Sequence, residues 1–250
     1  RSCSVLGVMV EAGRGVARDP QRAADLFARA CDGGVQSACV SLGLLKERGD
    51  TGRPDPAGAM LFFEWACLGD LGPGCQHLGR ARYQAGDLAG ALSLGHIYEA
   101  GIGVDRDLQR AEAWYLKGAH AGFGQAQLRL FYLLLGRGED TNALHWIAKA
   151  AEQDLPQAQN DYAWLLSTSQ VDHLRNGELA LSYAEKAVAQ MESAAYLDTL
   201  AAAYAELGRF SEAISIQEQA LALVSEAGSE EARALADHLA AYQAGEPWRE

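Results

Sequence analysis

The chain has 250 residues, of which 21 are basic and 33 are acidic, and its formal net charge is −12 at neutral pH. This charge argues against a nucleic-acid backbone as the main partner, because phosphate binding requires clustered Lys and Arg side chains. No apolar run approaches the length of about 18 residues that would span a membrane, so we expect no membrane insertion. Because the chain starts at Arg1, without a Met or a leader, we expect either a removed signal peptide or an excised fragment of a longer protein.

Cysteines recur at a fixed spacing in the first third of the chain. Seven residues separate Cys31 from Cys39 and also Cys67 from Cys75, and each pair stands 36 residues from the other. Cys3 lies on the same 36-residue grid. Repetition at this period is typical of stacked helical hairpins. The sequence therefore predicts an all-α fold, a right-handed α/α superhelical solenoid of helix–turn–helix repeats.

The first helix of each predicted unit carries a small residue followed, three positions later, by Leu-Gly. Four segments share this pattern: 3–7, 39–43, 75–79 and 91–95. The Leu shares a helical face with the small residue, and the Gly allows a neighbouring helix to approach closely. A glycine-containing turn follows, and Asp19, Asp55 and Asp107 stand where the next helix would begin, so we predict them as N-caps.

The second helix of each unit places a small residue four positions before a large one. The four copies run from Ala23 to Phe27, from Ala59 to Phe63, from Ala111 to Tyr115 and from Ala143 to Ile147. This spacing favours core packing over a stacking platform for a ligand. Later first helices begin around Ala126 and Ala158. The step from Cys75 to Ala91 is only 16 residues, so either a unit has lost its second helix or residues 76–85 serve as one.

The pattern changes from about residue 176. Residues 178–190 form an amphipathic pattern, and 195–207 with 210–225 resemble a tetratricopeptide repeat, whose packing positions hold Leu200, Ala201, Tyr204, Gly208, Ala213 and Ala220. Gly228-Ser229 interrupts the chain before a predicted terminal helix. We therefore predict about five repeat units over 1–166, one of them degenerate near 75–90, then a tetratricopeptide-type repeat over 176–228 and a capping helix with a tail over 229–250.

The stretch around residues 94–119 resembles the Sel-like repeat (SLR), a relative of the tetratricopeptide repeat. The resemblance is carried by Leu94-Gly95, Tyr98, Gly101, Gly103-Val104, Asp107, Ala111, Trp114-Tyr115 and Ala119. The cysteine placement is similar to that of a cysteine-rich, secreted bacterial branch of the family, in which each disulfide ties a second helix to the first helix of the next unit. The resemblance implies an adaptor or interaction scaffold. Some cysteine-rich members are described as binding or hydrolysing β-lactams.

The cysteines allow three interpretations: disulfides, metal ligands and buried thiols. Later units lose both members of the pair together, with Ala119 facing Ala126 and Ala151 facing Ala158, which favours disulfides. No C-x-x-C or His-x-x-x-His spacing indicates a metal site. We predict bonds between Cys31 and Cys39 and between Cys67 and Cys75, with Cys3 unpaired here and bridged in a longer natural chain. Persistent disulfides predict a periplasmic or secreted protein.

No catalytic motif is present, so we predict no enzyme and no cofactor. The six histidines are irregularly spaced, without a surrounding carboxylate or cysteine constellation. We expect a scaffold that binds a protein or peptide in the concave groove lined by first helices. Transfer of the tetratricopeptide register places these residues in the groove: Gln76, Arg80, His96, Glu99, Gln127, Gln159 and Asp198. A solvated polar face is the competing interpretation of that set. The alternative functions are a small-molecule or cell-wall binder of β-lactam type and a spacer within a larger chain.

Overall fold

The structure, a computed structural model, describes residues 2–69, 72–225 and 229–250. Within those ranges the chain forms fourteen α-helices and no β-strand, which confirms the predicted all-α architecture of packed helical hairpins. None of the described helices has the length and apolar character needed to cross a membrane. The chain divides into two compact units, residues 1–126 and residues 127–250.

The first unit consists of helices that pack consecutively on one another along the chain. Its helices are α1 (Ser2–Ala12), α2 (Pro20–Asp32), α3 (Gln36–Arg48), α4 (Pro56–Leu68), α5 (Gly72–Gln84), α6 (Ala89–Ala100) and α7 (Leu108–His120), and α8 (Gly124–Leu135) begins at its end. The three predicted N-caps are confirmed. Asp19 accepts a hydrogen bond from the backbone N–H of Arg22, and Asp55 and Asp107 cap α4 and α7 in the same way.

The core of each hairpin is built from the residues that repeat on the second helices. All eight members of the four predicted pairs are fully buried: Ala23, Phe27, Ala59, Phe63, Ala111, Tyr115, Ala143 and Ile147. The Phe27, Phe63 and Tyr115 rings each pack against the first helix of their own unit, on the side where that helix carries Gly. A Cβ atom added to Gly43 would lie 2.5 Å from the Phe63 ring, and one added to Gly95 would lie 2.2 Å from the Tyr115 ring. The recurring Gly therefore has the packing role that the sequence predicts.

Both predicted cysteine pairs stand at disulfide distance. The Sγ atoms of Cys31 and Cys39 are 2.01 Å apart, which joins α2 to α3, and Cys67 with Cys75 joins α4 to α5 over the same distance. Each bond thus links a second helix to the first helix that follows it. Cys3, on α1, is the one cysteine without a disulfide in the described part of the chain.

Helix α5 accounts for the irregular step in the grid. It begins like a first helix, with Cys75 bonded to α4 and Gly79 in the usual register, but it is followed after four residues by α6, which is also a first helix by sequence. The two helices cross closely, because a Cβ atom added to Gly90 would lie 2.4 Å from the Gly79 carbonyl oxygen. Residues 76–84 therefore lie within a helix, which both predicted alternatives require.

The second unit continues the alternation of first and second helices. It contains α9 (Asp140–Ala151), α10 (Pro156–Thr168), α11 (Gly177–Gln190), α12 (Ala194–Glu206), α13 (Phe210–Leu223) and α14 (Glu230–Gln243). A single 3₁₀ turn, Asp172–Leu174, lies between α10 and α11. Of the predicted break at Gly228-Ser229, Gly228 lies outside the described residues, and Ser229 caps α14.

The C-terminal tail packs back onto the second unit. Arg249 donates one hydrogen bond to the Ser167 carbonyl oxygen at 3.0 Å and another to Glu206 at 2.6 Å, and Glu206 also pairs with Arg175 at 3.1 Å. The Trp248 ring lies 4.4 Å from the His238 ring, centroid to centroid. The tail therefore covers the end of α10 and one side of α14.

Candidate functional site

The second unit contains a cleft formed by the first helices α8, α10 and α12 together with α14. Two cavities of about 160 Å³ and 200 Å³ share Asp161 and Trp164 as lining residues. We call the combined feature the Asp161 cleft, and it is lined by Phe131, Tyr132, Leu135, Asn160, Asp161, Trp164, Leu165, Ala195, Asp198, Thr199 and His238. On α10 and α12 these residues follow the i, i+3, i+4 spacing of one helical face.

Asp161 lies at the centre of the cleft, on the middle helix. The Tyr132 hydroxyl donates a short hydrogen bond to Oδ2 of Asp161, and Gln157 donates to the Tyr132 oxygen at 2.7 Å. Asn160 Nδ2 reaches the other carboxylate oxygen only at 3.4 Å. Burial raises the pKa of Asp161 above its usual range, and the two hydrogen bonds only partly oppose this shift.

Asp198 forms a second polar cluster at the other end of the cleft. Its Oδ1 accepts a hydrogen bond from Gln217 at 2.7 Å and lies 2.8 Å from Nδ1 of His238. The Trp164 and His238 rings are 5.6 Å apart, centroid to centroid. Asp198 is therefore engaged by groups of the protein itself, which makes this residue part of the attachment of α14.

Three of the predicted groove residues lie in the interior of the second unit. Gln127, Gln159 and Asp198 are 3%, 0% and 8% exposed. Gln127 accepts a hydrogen bond from Gln153 at 2.7 Å, and Gln159 accepts one from Gln190 at 2.9 Å. As the structure places them, Gln127 and Gln159 hold helices together, whereas Asp198 also lines the Asp161 cleft.

Adjacent positions of an α-helix point in directions about 100° apart. Gln159 points between helices, while the next two residues, Asn160 and Asp161, line the cleft. No signal in the isolated sequence fixes that rotation, because polar residues occupy all three positions.

The other four predicted groove residues lie in the first unit. On α5, Gln76 is half-buried and Arg80 is exposed, and on α6, His96 is exposed and Glu99 is half-buried. Glu99 accepts a hydrogen bond from the buried Tyr115 hydroxyl at 2.5 Å.

His96 also lines a separate cavity of about 280 Å³. Its other lining residues are Cys67, Cys75, Leu78, Gly79, Arg82, Ser93, Ile97 and Ile102. This cavity is largely apolar and lies beside the second disulfide. Among the described residues no group of three His, Cys, Asp or Glu side chains has a metal-binding arrangement.

Comparison with protein families identifies the repeat. The family model of the Sel1 repeat matches residues 1–35, 36–70, 88–123, 124–155 and 156–190, which together make up more than half of the chain. The chain belongs to the Sel1 repeat family. Sel1 repeats generally serve as scaffolds for protein interactions.

The five Sel1 repeats correspond to helix pairs of the structure. They contain α1–α2, α3–α4, α6–α7, α8–α9 and α10–α11, while all of α5 falls in the unmatched interval and α12–α14 lie beyond the last repeat. The Asp161 cleft therefore uses the first helices of the fourth and fifth Sel1 repeats and the first helix after them. The predicted bounds 1–166, 176–228 and 229–250 stay a prediction.

A solved structure with Sel1 repeats has the same fold. A protective antigen of uropathogenic Escherichia coli that displays an SLR fold is 23% identical over 99% of this chain, with a TM-score of 0.51. This chain spans 65% of the length of that protein. A Sel1 repeat protein from Oxalobacter formigenes is 21% identical over 96% of this chain and 75% of its own, with a TM-score of 0.48. A search of curated proteins finds no significant match.

Proposed function

We propose that this Sel1 repeat chain is a non-enzymatic scaffold that binds a protein or peptide partner along its first helices. The observation that carries the proposal is the Asp161 cleft, where three successive first helices present aromatic rings and a carboxylate to the same space. Aromatic anchors next to a few polar groups are typical of the residues that dominate protein recognition. The family to which the chain belongs supports the same class of function.

In the first unit, the proposed contact surface includes Gln76, Arg80, His96 and Glu99. Arg80 and His96 are exposed, so they can reach a bound segment without displacement of a helix. Glu99 has one carboxylate oxygen engaged by Tyr115 and keeps acceptor capacity on the other. This set suits hydrogen bonding to an extended peptide backbone.

We place the protein in an oxidising compartment, the periplasm or the cell exterior of a bacterium. The support is the pair of disulfide bonds, each joining successive helices, because disulfides persist where thiols are not kept reduced. Detection of the protein with both bonds intact in a periplasmic or culture fraction is the expected result. Detection only in the cytosol would contradict this placement.

Site-specific crosslinking tests the binding proposal. A photoreactive phenylalanine analogue replaces Leu135, which lines the cleft and is 40% exposed, and in a control it replaces Leu179 of α11, which is 36% exposed. In extract from a bacterium that carries the protein, we expect a discrete crosslinked partner from position 135 and none from position 179. Equal crosslinking from both positions, or none from position 135, would refute the proposed surface.

A further inference from the structure

Asp161 differs from the other half-buried or buried acidic side chains of its unit in the way its charge is balanced. Glu206 pairs with both Arg175 and Arg249, and Asp198 pairs with His238. No Lys, Arg or His side chain of the described residues lies within salt-bridge distance of Asp161. Its partners are the neutral hydroxyl of Tyr132 and a long contact from Asn160.

This arrangement leaves acceptor capacity inside the cleft. Oδ1 of Asp161 has only the 3.4 Å contact from Asn160, although a carboxylate oxygen can accept two hydrogen bonds. The buried Oδ1 of Asn160 has no hydrogen-bond donor among the described residues. A buried carboxylate without a cation is unfavourable, and a ligand that supplies both charge and N–H donors removes that penalty.

The walls of the cleft select the shape of such a ligand. The Trp164 and Tyr132 rings flank Asp161, and Leu135 and Leu165 add an apolar surface. A planar guanidinium stacks on an aromatic face while its N–H groups bind carboxylate and amide oxygens in the same plane, and its three-carbon stem suits an apolar wall. An ammonium group is a compact point charge that stays strongly hydrated and lacks the planar fork.

We propose that the Asp161 cleft binds an arginine side chain of the partner, with the guanidinium against Asp161 and the ring of Trp164. This assignment rests on the proposed function, because it names the residue that the scaffold recognises. The net charge of −12 favours the approach of such a partner. The cleft has no Lys or Arg among its lining residues that would compete for the carboxylate.

Capped pentapeptides test the assignment. The probe has arginine at its centre between alanines, and its matched control has citrulline, which keeps the shape of arginine and removes the charge. Nuclear magnetic resonance follows the indole N–H signal of Trp164, which is assigned with Trp164→Phe. We expect the arginine peptide to bind at least about tenfold more tightly than the citrulline peptide, because a hydrogen bond between charged groups contributes more than one from a neutral group.

Two variants show whether the preference originates in the cleft. Asp161→Asn is isosteric and removes the charge, so we expect it to abolish the preference for arginine. Glu185→Gln removes an exposed carboxylate of α11 outside the cleft, and we expect it to keep the preference. If Asp161→Asn does not fold, as judged by circular dichroism, Asp161→Ser replaces it with the same expectation.

Failure of this assignment can be told apart from failure of the proposed function. The arginine assignment is overturned if the citrulline peptide, or a lysine peptide, binds as tightly as the arginine peptide. Neither result affects the crosslinking experiment at position 135, which tests the scaffold function. A preference for arginine that survives Asp161→Asn also overturns the arginine assignment. Conversely, if the arginine preference depends on Asp161 but no partner is crosslinked from position 135, the arginine assignment stands and the proposed scaffold function is refuted.

Discussion

Gly95 shows how closely the two helices of a repeat approach one another. Its backbone lies against the Tyr115 ring, which is fully buried and is also held by a hydrogen bond from its hydroxyl group to Glu99. A methyl group at position 95 has no space unless the ring moves, and the ring is fixed at both ends. The glycine therefore determines the separation of α6 and α7.

We predict that Gly95→Ala lowers the free energy of unfolding by about 1–3 kcal/mol, the usual cost of overpacking a core. The loss occurs although alanine is the better helix former, because the added Cβ would lie 2.2 Å from the Tyr115 ring. Urea denaturation followed by circular dichroism measures the change. Gly136→Ala is the control, since a Cβ atom there meets nothing closer than 3.4 Å. Equal stability of Gly95→Ala and the parent chain would disprove the packing role.

Asp161 provides a test of charge inside a cavity. Burial raises its pKa in the folded state, so the unfolded chain loses this proton more readily. Ionisation consequently disfavours the folded state as the pH rises through the folded pKa, and this effect disappears at low pH, where the carboxyl group is protonated in both states. We predict that Asp161→Asn melts at a higher temperature than the parent at neutral pH and that the gap narrows as the pH falls. A lower melting temperature for Asp161→Asn at neutral pH would contradict this.

Buried core residues and cleft residues differ in how far the sequence predicts their positions. Buried pairs such as Ala59 and Phe63 are predictable, because repetition at helical spacing indicates a core position in every unit. The cleft residue Asp161 is not, because it is one of three consecutive polar residues and only the rotation of α10 distinguishes it from Gln159. Of its aromatic neighbours, Trp164 lies three residues later on the same helix, whereas Tyr132 comes from α8, and no local pattern joins Tyr132 to Asp161.

Helix α5 is the element that breaks the alternation of first and second helices. The sequence allows two interpretations of residues 75–90, since the segment has the Leu-Gly pattern of a first helix and the position of a second. The structure shows that one helix satisfies both, through the disulfide to α4 and the glycine contact with α6. The glycine contact with α6 is a tertiary contact, and sequence periodicity does not predict it.

The two disulfides act at the level of helix pairs. Each closes a loop of nine residues, and the chain-entropy estimate assigns such a bond roughly 2–3 kcal/mol. We predict that Cys67→Ser with Cys75→Ser lowers the free energy of unfolding by this amount, measured by thermal denaturation of the oxidised protein. Cys3→Ser is the matched control, because Cys3 has no disulfide, and we expect no comparable loss. An unchanged free energy of unfolding in the double variant would contradict a stabilising role of this disulfide.

The number of free thiols in the whole chain tests the assignment of the disulfides. Of the five cysteines, four lie in disulfides. We predict one reactive thiol in protein that is unfolded without reductant and five after reduction, measured with a chromogenic thiol reagent under denaturing conditions. Five reactive thiols before reduction would remove the support for an exported protein.

The fold class is predictable from the sequence because the repeat pattern recurs over most of the chain, and Sel1 repeats match residues 1–70 and 88–190. The partner is not, since recognition depends on a few side chains whose direction varies from repeat to repeat. Arg80 and His96 lie exposed on α5 and α6, whereas Gln127 and Gln159 are buried between helices of later repeats.

Because α5 resembles a first helix and is followed directly by another first helix, a shorter relative could lack one of the two. Deletion of the 16 residues 75–90 would join the first residues of α5 directly to the remainder of α6 and would keep the repeat register. Ala91 would then follow Cys67 at the interval now held by Cys75, and Leu94-Gly95 would take over from Leu78-Gly79. A shortened descendant of this kind would regain unbroken periodicity and would lose one cystine in the same event.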